Sequence, residues 1–273
     1  MSQTTIIRNA RLVNEGEIRE SDVLLKNGRI EKIAADIQAT AGAEIVDADG
    51  RHLLPGMIDD QVHFREPGLT HKGDFYSESR AAIAGGVTSY MEMPNSKPPT
   101  TNAEQLEWKY ARAAETSAAN FGFYFGATND NIENIRALDP SMTCGVKVFM
   151  GASTGNMLVD DESTLAAIFR DSPVLIATHC ESTPMIMANI KQAMTKYGKN
   201  IPVTEHANIR SAEACYASSE LAVALAKKYH SQLHVLHIST ARELDLFEPG
   251  PIDGKSITAE ACVHFLPVSY THL

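Results

Sequence analysis

From Leu53 onward the chain alternates short apolar runs with segments of helical spacing, and this alternation limits the folds that it can adopt. The apolar runs read as seven strands, within residues 54–63, 87–94, 121–128, 145–151, 174–179, 232–239 and 256–265. Helical segments lie between them, at 73–84, 102–117, 129–138, 161–170, 184–197 and 211–228. Strands separated by helices pair in parallel through right-handed crossovers. The pattern therefore predicts an α/β fold, a (β/α)8 TIM-like barrel lacking its last unit.

The residues before Leu53 have a different character and predict short strands. The clearest hairpin runs from Ser21 to Ala34, where Asn27-Gly28 lies between two apolar runs. Asn-Gly adopts the positive φ values that a type I′ turn requires. We therefore expect a small antiparallel β segment over residues 1–52, followed by the barrel domain over residues 53–273.

Composition excludes several classes of partner. The net charge of −10 argues against nucleic acid and against an anionic membrane surface. No apolar run approaches the roughly 18 residues of a membrane span, and residues 1–8 do not resemble a signal peptide. The four cysteines are far apart and predict reduced thiols. Together these features predict a soluble cytoplasmic protein.

Polar side chains stand at the predicted strand ends, where a barrel of this kind builds its active site. They are Gln61 and His63, Asn95, Lys147, His179 and His237. A single strand histidine is more often a structural, hydrogen-bonded residue than a ligand. Three histidines at three strand ends favour a metal site, because imidazole suits zinc and similar ions.

Lys147, Arg65 and Asn95 allow a structural or a functional interpretation. A charged lysine within an apolar strand is costly to bury, and an ammonium group has no lone pair for a metal. Lys147 is therefore either part of a buried ion pair or neutral or chemically modified. Arg65 and Asn95 carry donors that could hold a carboxylate, Arg65 in a bidentate manner; otherwise they are a surface charge and a turn amide.

The chain resembles the dihydroorotase family of the cyclic amidohydrolase superfamily over nearly its whole length. The matching strings are Pro55–Asp59, Val62–Gly68, Met93–Asn95, Lys147–Gly151, Thr178–Glu181 and His237–Thr240. The His63-Phe64-Arg65-Glu66-Pro67-Gly68 string is specific within the superfamily. Allantoinases and dihydropyrimidinases share the metal residues but usually lack this arginine.

The resemblance implies reversible opening of (S)-dihydroorotate to N-carbamoyl-L-aspartate in pyrimidine biosynthesis. It implies one or two zinc ions held by His63, His179, His237 and Gln61, with a carboxylated Lys147 as a further ligand. It also implies that Arg65 and Asn95 bind the substrate carboxylate. The sequence leaves open whether the protein forms a homo-oligomer.

Two departures from the family pattern matter. Gln61 stands where the family has a histidine, and its neutral amide oxygen is a weaker zinc ligand, so one metal position is expected to be weak or empty. The family's catalytic aspartate is expected beyond Leu273, which predicts a C-terminally truncated, inactive fragment. Two alternatives stay open: a catalytically silent homologue that partners aspartate carbamoyltransferase, and a cyclic amidase such as a dihydropyrimidinase, hydantoinase or allantoinase.

Overall fold

The computed structural model of the protein describes residues 4–151 and 155–265. The chain divides between Met57 and Ile58 into two compact units. The first unit contains five strands, β1 Thr4–Asn14, β2 Glu17–Lys26, β3 Arg29–Ala34, β4 Glu44–Asp47 and β5 His52–Leu53. Their order is β3-β2-β1-β4, and β5 also pairs with β1.

The small antiparallel sheet is confirmed over β1–β3, and the structure adds two parallel partners. β1 pairs with β2 and β2 with β3 in antiparallel fashion, whereas β4 and β5 lie parallel to β1. Asn27 and Gly28 have φ values of 51° and 74°, as the predicted hairpin requires. A second tight turn, Glu15-Gly16, also uses two positive φ values, 51° and 80°.

The second unit is built on a curled parallel sheet of seven strands. These are β6 Met57–Val62, β7 Val87–Glu92, β8 Asn120–Gly126, β9 Gly145–Phe149, β10 Ile176–His179, β11 Leu233–Val235 and β12 Ile257–Ala259. Their spatial order follows the chain order. The prediction of a barrel lacking its last unit is confirmed, since no eighth strand of this sheet occurs among the described residues.

Helices alternate with these strands, as predicted. They are α1 Phe75–Ala84, α2 Ala103–Thr116, α3 Ile132–Arg136, α4 Glu162–Asp171, α5 Thr183–Tyr197, α6 His206–Ile209 and α7 Ala212–Tyr229. The Asn102 side chain accepts from the Gln105 amide at 2.9 Å and caps α2. Gly85 ends α1, and Gly86 continues with a φ of 89°. No described helix has the length and apolar composition to cross a membrane.

Alternation along the strands separates two sets of side chains. Outward residues such as Phe123, Val146 and Leu233 are buried in one apolar cluster with helix residues. Successive side chains of a strand point to opposite faces, so Lys147, between Val146 and Val148, lies on the inner face. A smaller inner cluster consists of Met93, Tyr124, Ala177 and Leu236. Each fully buried large apolar side chain contributes about 1.5–3 kcal/mol.

Candidate metal and substrate site

His179 and His237 are brought together at the ends of neighbouring strands β10 and β11. Nδ1 of His179 lies 3.0 Å from Nε2 of His237. Burial lowers the pKa of His237 to about 4, and it also lowers that of His179. Both imidazoles are therefore neutral at pH 7, which is the form that binds a metal.

Glu181 fixes the orientation of His179. Its carboxylate oxygen Oε2 lies 2.7 Å from Nε2 of His179. A carboxylate can only accept, so the Nε2 atom carries the proton and Nδ1 keeps its lone pair. Arg210 donates from Nε to Oε1 of Glu181 at 2.7 Å and pairs with the second oxygen through Nη2. Metal-binding histidines commonly donate their second N–H to a carboxylate in this way.

Lys147 is buried beside these histidines without a hydrogen-bond partner. It is 1% exposed. Within residues 4–151 and 155–265 its Nζ atom has no hydrogen-bond partner and lies 4.4 Å from the centre of the Phe149 ring. Burial lowers its pKa to about 7. Its charge lowers the pKa of His63, His179 and His237, so all three lie within its electrostatic reach. The buried ion pair that sequence reasoning left open is thus absent among the described residues.

His63 lies between two side-chain amides. Its Nδ1 atom is 2.8 Å from Oδ1 of Asn95, and its Nε2 atom is 3.1 Å from the amide nitrogen of Gln61. Burial, followed by the charge of Arg65, lowers the pKa of His63 to about 4. The hydrogen bond to Asn95 opposes this shift. The structure therefore brings Gln61, His63 and Asn95 together.

Arg65 follows β6 in a backbone conformation that residues other than glycine rarely adopt. Its φ is 71°, which costs about 1–3 kcal/mol. Its backbone amide donates toward the Glu92 carboxylate and lowers the pKa of that group, whereas burial raises it. Lys109, fully buried on α2, forms an ion pair with Glu92. No described residue forms a hydrogen bond or ion pair with the guanidinium of Arg65.

The next residue of this loop, Glu66, carries a second buried carboxylate. Glu66 accepts from the Phe75 amide at 2.9 Å and from Nε of Arg112 at 2.6 Å. Arg112 lies one helical turn after Lys109 on α2, so two cations of one helix face neutralise Glu92 and Glu66. These contacts fix the backbone around Arg65, and its charge lies within electrostatic reach of the Glu92 carboxylate.

Asp60, His234 and Glu260 form a further group, which sequence reasoning did not find. Their ligand atoms all lie within 4.8 Å of one another, and the group could hold a metal ion. Glu260 also accepts the backbone N–H of His237 at 3.0 Å, where His237 has a φ of 42°. Burial, followed by a hydrogen bond to Glu260, raises the pKa of Asp60 to about 6.

Glu181 and Glu260 had no role in the sequence interpretation. Glu181 carries a signal that could have been used, because residues i and i+2 of a strand share a face and Glu181 follows His179 by two. Glu260 carries none, since its contact with His237 joins residues 23 positions apart. The predicted ligands Gln61, His63, Lys147, His179 and His237 stay predictions, as does substrate binding by Arg65 and Asn95.

The residues present fit a metal ion at the His179–His237 pair. Two imidazole nitrogens on one tetrahedral zinc lie roughly 3.3 Å apart, and these two are 3.0 Å apart. The unpaired Nζ of Lys147 supplies the second observation, because a buried polar group without a partner is costly.

Comparison with known proteins decides the family. The model of the family described as "Dihydro-orotase-like" matches residues 50–145. A dihydroorotase of Methanosarcina acetivorans is 33% identical over 86% of this chain and 50% of its own length. An allantoinase of Streptomyces avermitilis is 30% identical over 97% of this chain and 59% of its own. The solved structure of the L-hydantoinase (dihydropyrimidinase) from Arthrobacter aurescens superimposes with a TM-score of 0.87 at 28% identity, covering 96% of this chain and 58% of its own.

The chain belongs to the cyclic amidohydrolase superfamily. The chain spans about half to three fifths of the length of the relatives it matches. Dihydroorotase, allantoinase and hydantoinase relatives stand at similar identity, 33%, 30% and 28%. Overall similarity thus does not single out one of these three kinds of relative.

Proposed function

We propose that the protein is a dihydroorotase, which catalyses the reversible hydrolysis of (S)-dihydroorotate to N-carbamoyl-L-aspartate. The observation that carries this proposal is the guanidinium of Arg65, unpaired among the described residues and beside His63. Dihydroorotate bears a ring carboxylate, whereas hydantoin, dihydrouracil and allantoin do not. A fixed arginine at the strand end provides the bidentate donor that a carboxylate requires.

Asn95 supports the same substrate in a second way. Its Oδ1 atom is occupied by His63, and its amide nitrogen can still donate to an anion. We propose that this N–H group and Arg65 together bind the carboxylate and fix the ring orientation. A carboxylate held at one edge of the ring positions the amide that is cleaved.

We further propose that Lys147, His179 and His237 hold a zinc ion. When bound, zinc polarises the ring amide carbonyl and lowers the pKa of water. The lowered pKa of Lys147 favours its neutral amine, which can attack carbon dioxide. An N–C bond forms, one proton leaves, and the resulting carbamate is an anionic ligand. This carboxylation accounts for a lysine that has no partner among the described residues.

The test uses the protein at its full natural length with a panel of dihydroorotate, hydantoin, dihydrouracil and allantoin. We expect turnover of dihydroorotate, and we expect Arg65→Ala to raise its KM at least tenfold, since a charged hydrogen bond contributes about 1.5–3 kcal/mol. Arg80→Ala is the matched control, because Arg80 stacks on Tyr76 on the exposed face of α1. Turnover of the uncharged rings alone would show that the proposed substrate is wrong.

A second candidate function is hydrolysis of an uncharged ring such as hydantoin or allantoin. The observation in its favour is the similarity to an allantoinase and a hydantoinase at nearly the same identity as to a dihydroorotase. If this candidate holds, Arg65→Ala leaves KM for the uncharged ring unchanged. A third, a catalytically silent homologue, rests on Gln61, and it requires that none of the four rings is hydrolysed.

A further inference from the structure

We infer that the metal centre of this protein holds a single ion on the side of His179 and His237, while Gln61, His63 and Asn95 form a metal-free half closed by hydrogen bonds. This inference rests on the proposed metal-dependent function and specifies its centre. It removes His63 and Gln61 from the set of ligands that the family resemblance implies.

Both ring nitrogens of His63 are engaged by amides. Nδ1 donates to Oδ1 of Asn95 at 2.8 Å, and Nε2 accepts from the amide of Gln61 at 3.1 Å. Exchanging the oxygen and nitrogen of both amides reverses the direction of these bonds and leaves them equally satisfied. In either orientation the lone pair of the imidazole points at an amide, so it is unavailable to a metal ion.

Gln61 is the residue that prevents metal binding in this half of the site. A histidine at this position would offer a second nitrogen lone pair to an ion. The glutamine offers a neutral amide instead, and its side chain reaches the nitrogen of His63 that a metal would need. The backbone of Gln61 is fixed as well, since its backbone N–H donates to Oδ1 of Asp59 at 3.1 Å. Metal binding at His63 would leave the partly buried amide groups of Gln61 and Asn95 without these partners, which is costly.

The other half has the opposite arrangement. Nδ1 of His179 and Nε2 of His237 face each other with no amide between them, and the second nitrogen of His179 is already bound by Glu181. Lys147 adds a side chain whose Nζ atom has no hydrogen-bond partner among the described residues. Among those residues the only group of three His, Cys, Asp or Glu with ligand atoms within 4.8 Å is Asp60, His234 and Glu260, so His63 belongs to none.

The experiment is metal counting on the protein at its full natural length, reconstituted with zinc, dialysed and measured by elemental analysis. We expect one zinc ion per chain in the unmodified protein and in His63→Gln, and none retained in His237→Ala. We expect a second ion in Gln61→His, because an imidazole there restores a second ligand pair. Thermal unfolding followed by circular dichroism checks that each variant folds.

Cobalt substitution gives a readout that does not depend on counting alone. The visible absorption of a tetrahedral cobalt centre depends on its ligands, so His63→Gln should leave the spectrum unchanged and His237→Ala should abolish it. Two ions in the unmodified protein that fall to one in His63→Gln, or a spectrum altered by His63→Gln, would overturn the single-ion inference and leave the metal-dependent function intact. No bound metal in the folded, unmodified protein would overturn the proposed metal centre itself, and the inference with it.

Discussion

His179 and His237, 58 residues apart in the chain, lie with Nδ1 and Nε2 only 3.0 Å from each other. Parallel pairing of β10 with β11 brings the two strand ends together. Glu181 and Arg210 then set which nitrogen of His179 carries the proton. The contact thus depends on the positions of the two histidines at their strand ends, on the pairing of the two strands and on a buried carboxylate.

Glu181→Gln should weaken zinc binding by about 10–100-fold, because a carboxylate that is hydrogen-bonded to a ligating imidazole orients that ring and raises its basicity. The measurement is a zinc competition titration against a chromophoric chelator. Glu220→Gln serves as the matched control, since Glu220 lies on the exposed side of α7 and bonds only to Tyr216 among the described residues. Equal affinities for the two variants would show that Glu181 has no influence on the metal.

Lys147→Met should change how stability depends on pH. The pKa of Lys147 is lowered from 10.5 to about 7 in the folded state, so between these values the unfolded chain binds more protons. The free energy of unfolding therefore gains a contribution that rises with pH from about 7 to 10.5. Below pH 7 Lys147 is protonated in both the folded and the unfolded state, so the full cost of burying its charge destabilises the folded protein. The variant lacks this contribution.

The measurement is urea unfolding at pH 7 and pH 9 in metal-free, carbon-dioxide-depleted buffer. The difference in the free energy of unfolding between the unmodified protein and Lys147→Met should rise from pH 7 to pH 9. Lys228→Met, at an exposed lysine of α7, should behave as the unmodified protein. A difference that does not grow with pH would contradict the lowered pKa of Lys147.

Glu92→Leu should destabilise the protein by about 3–5 kcal/mol, because it leaves the ammonium of Lys109 buried and uncompensated. The double variant Glu92→Leu/Lys109→Met should recover most of this loss, since a buried ion pair replaced by apolar side chains is often neutral in stability. Urea unfolding of both single variants and the double variant gives the coupling energy. Additive effects would mean that the two side chains do not stabilise each other.

Gly151→Ala should weaken zinc binding at a position that carries no ligand. A Cβ atom on Gly151 would lie 2.1 Å from the backbone oxygen of Glu181, so the chain at Glu181 would have to move. Gly85→Ala is the control, because its Cβ would meet its nearest neighbour at an ordinary 3.4 Å. The zinc titration used for Glu181→Gln measures both; if Gly151→Ala binds zinc as the control does, the close approach is relieved without affecting the site.

Local patterns predicted much of the fold. The Asn27-Gly28 hairpin, the Asn102 cap and the Gly85-Gly86 helix end depend on residues close in sequence, and the structure contains all three. Strand ends were less accurate: the sixth predicted strand, 232–239, is observed as Leu233–Val235. His237 therefore lies outside the strand with a φ of 42°, because a carboxylate from a later segment, Glu260, holds its amide.

The sequence by itself determined which polar side chains lie in or shortly after the parallel strands, because side-chain alternation and helix spacing are local properties of the chain. It could not determine which of these side chains touch. Only the tertiary structure paired His179 with His237, gave His63 to Gln61 and Asn95, and left Lys147 unpaired among the described residues. The physical reason is that hydrogen bonds form over about 3 Å, a distance that sheet curl, neighbouring carboxylates and loop conformation decide together.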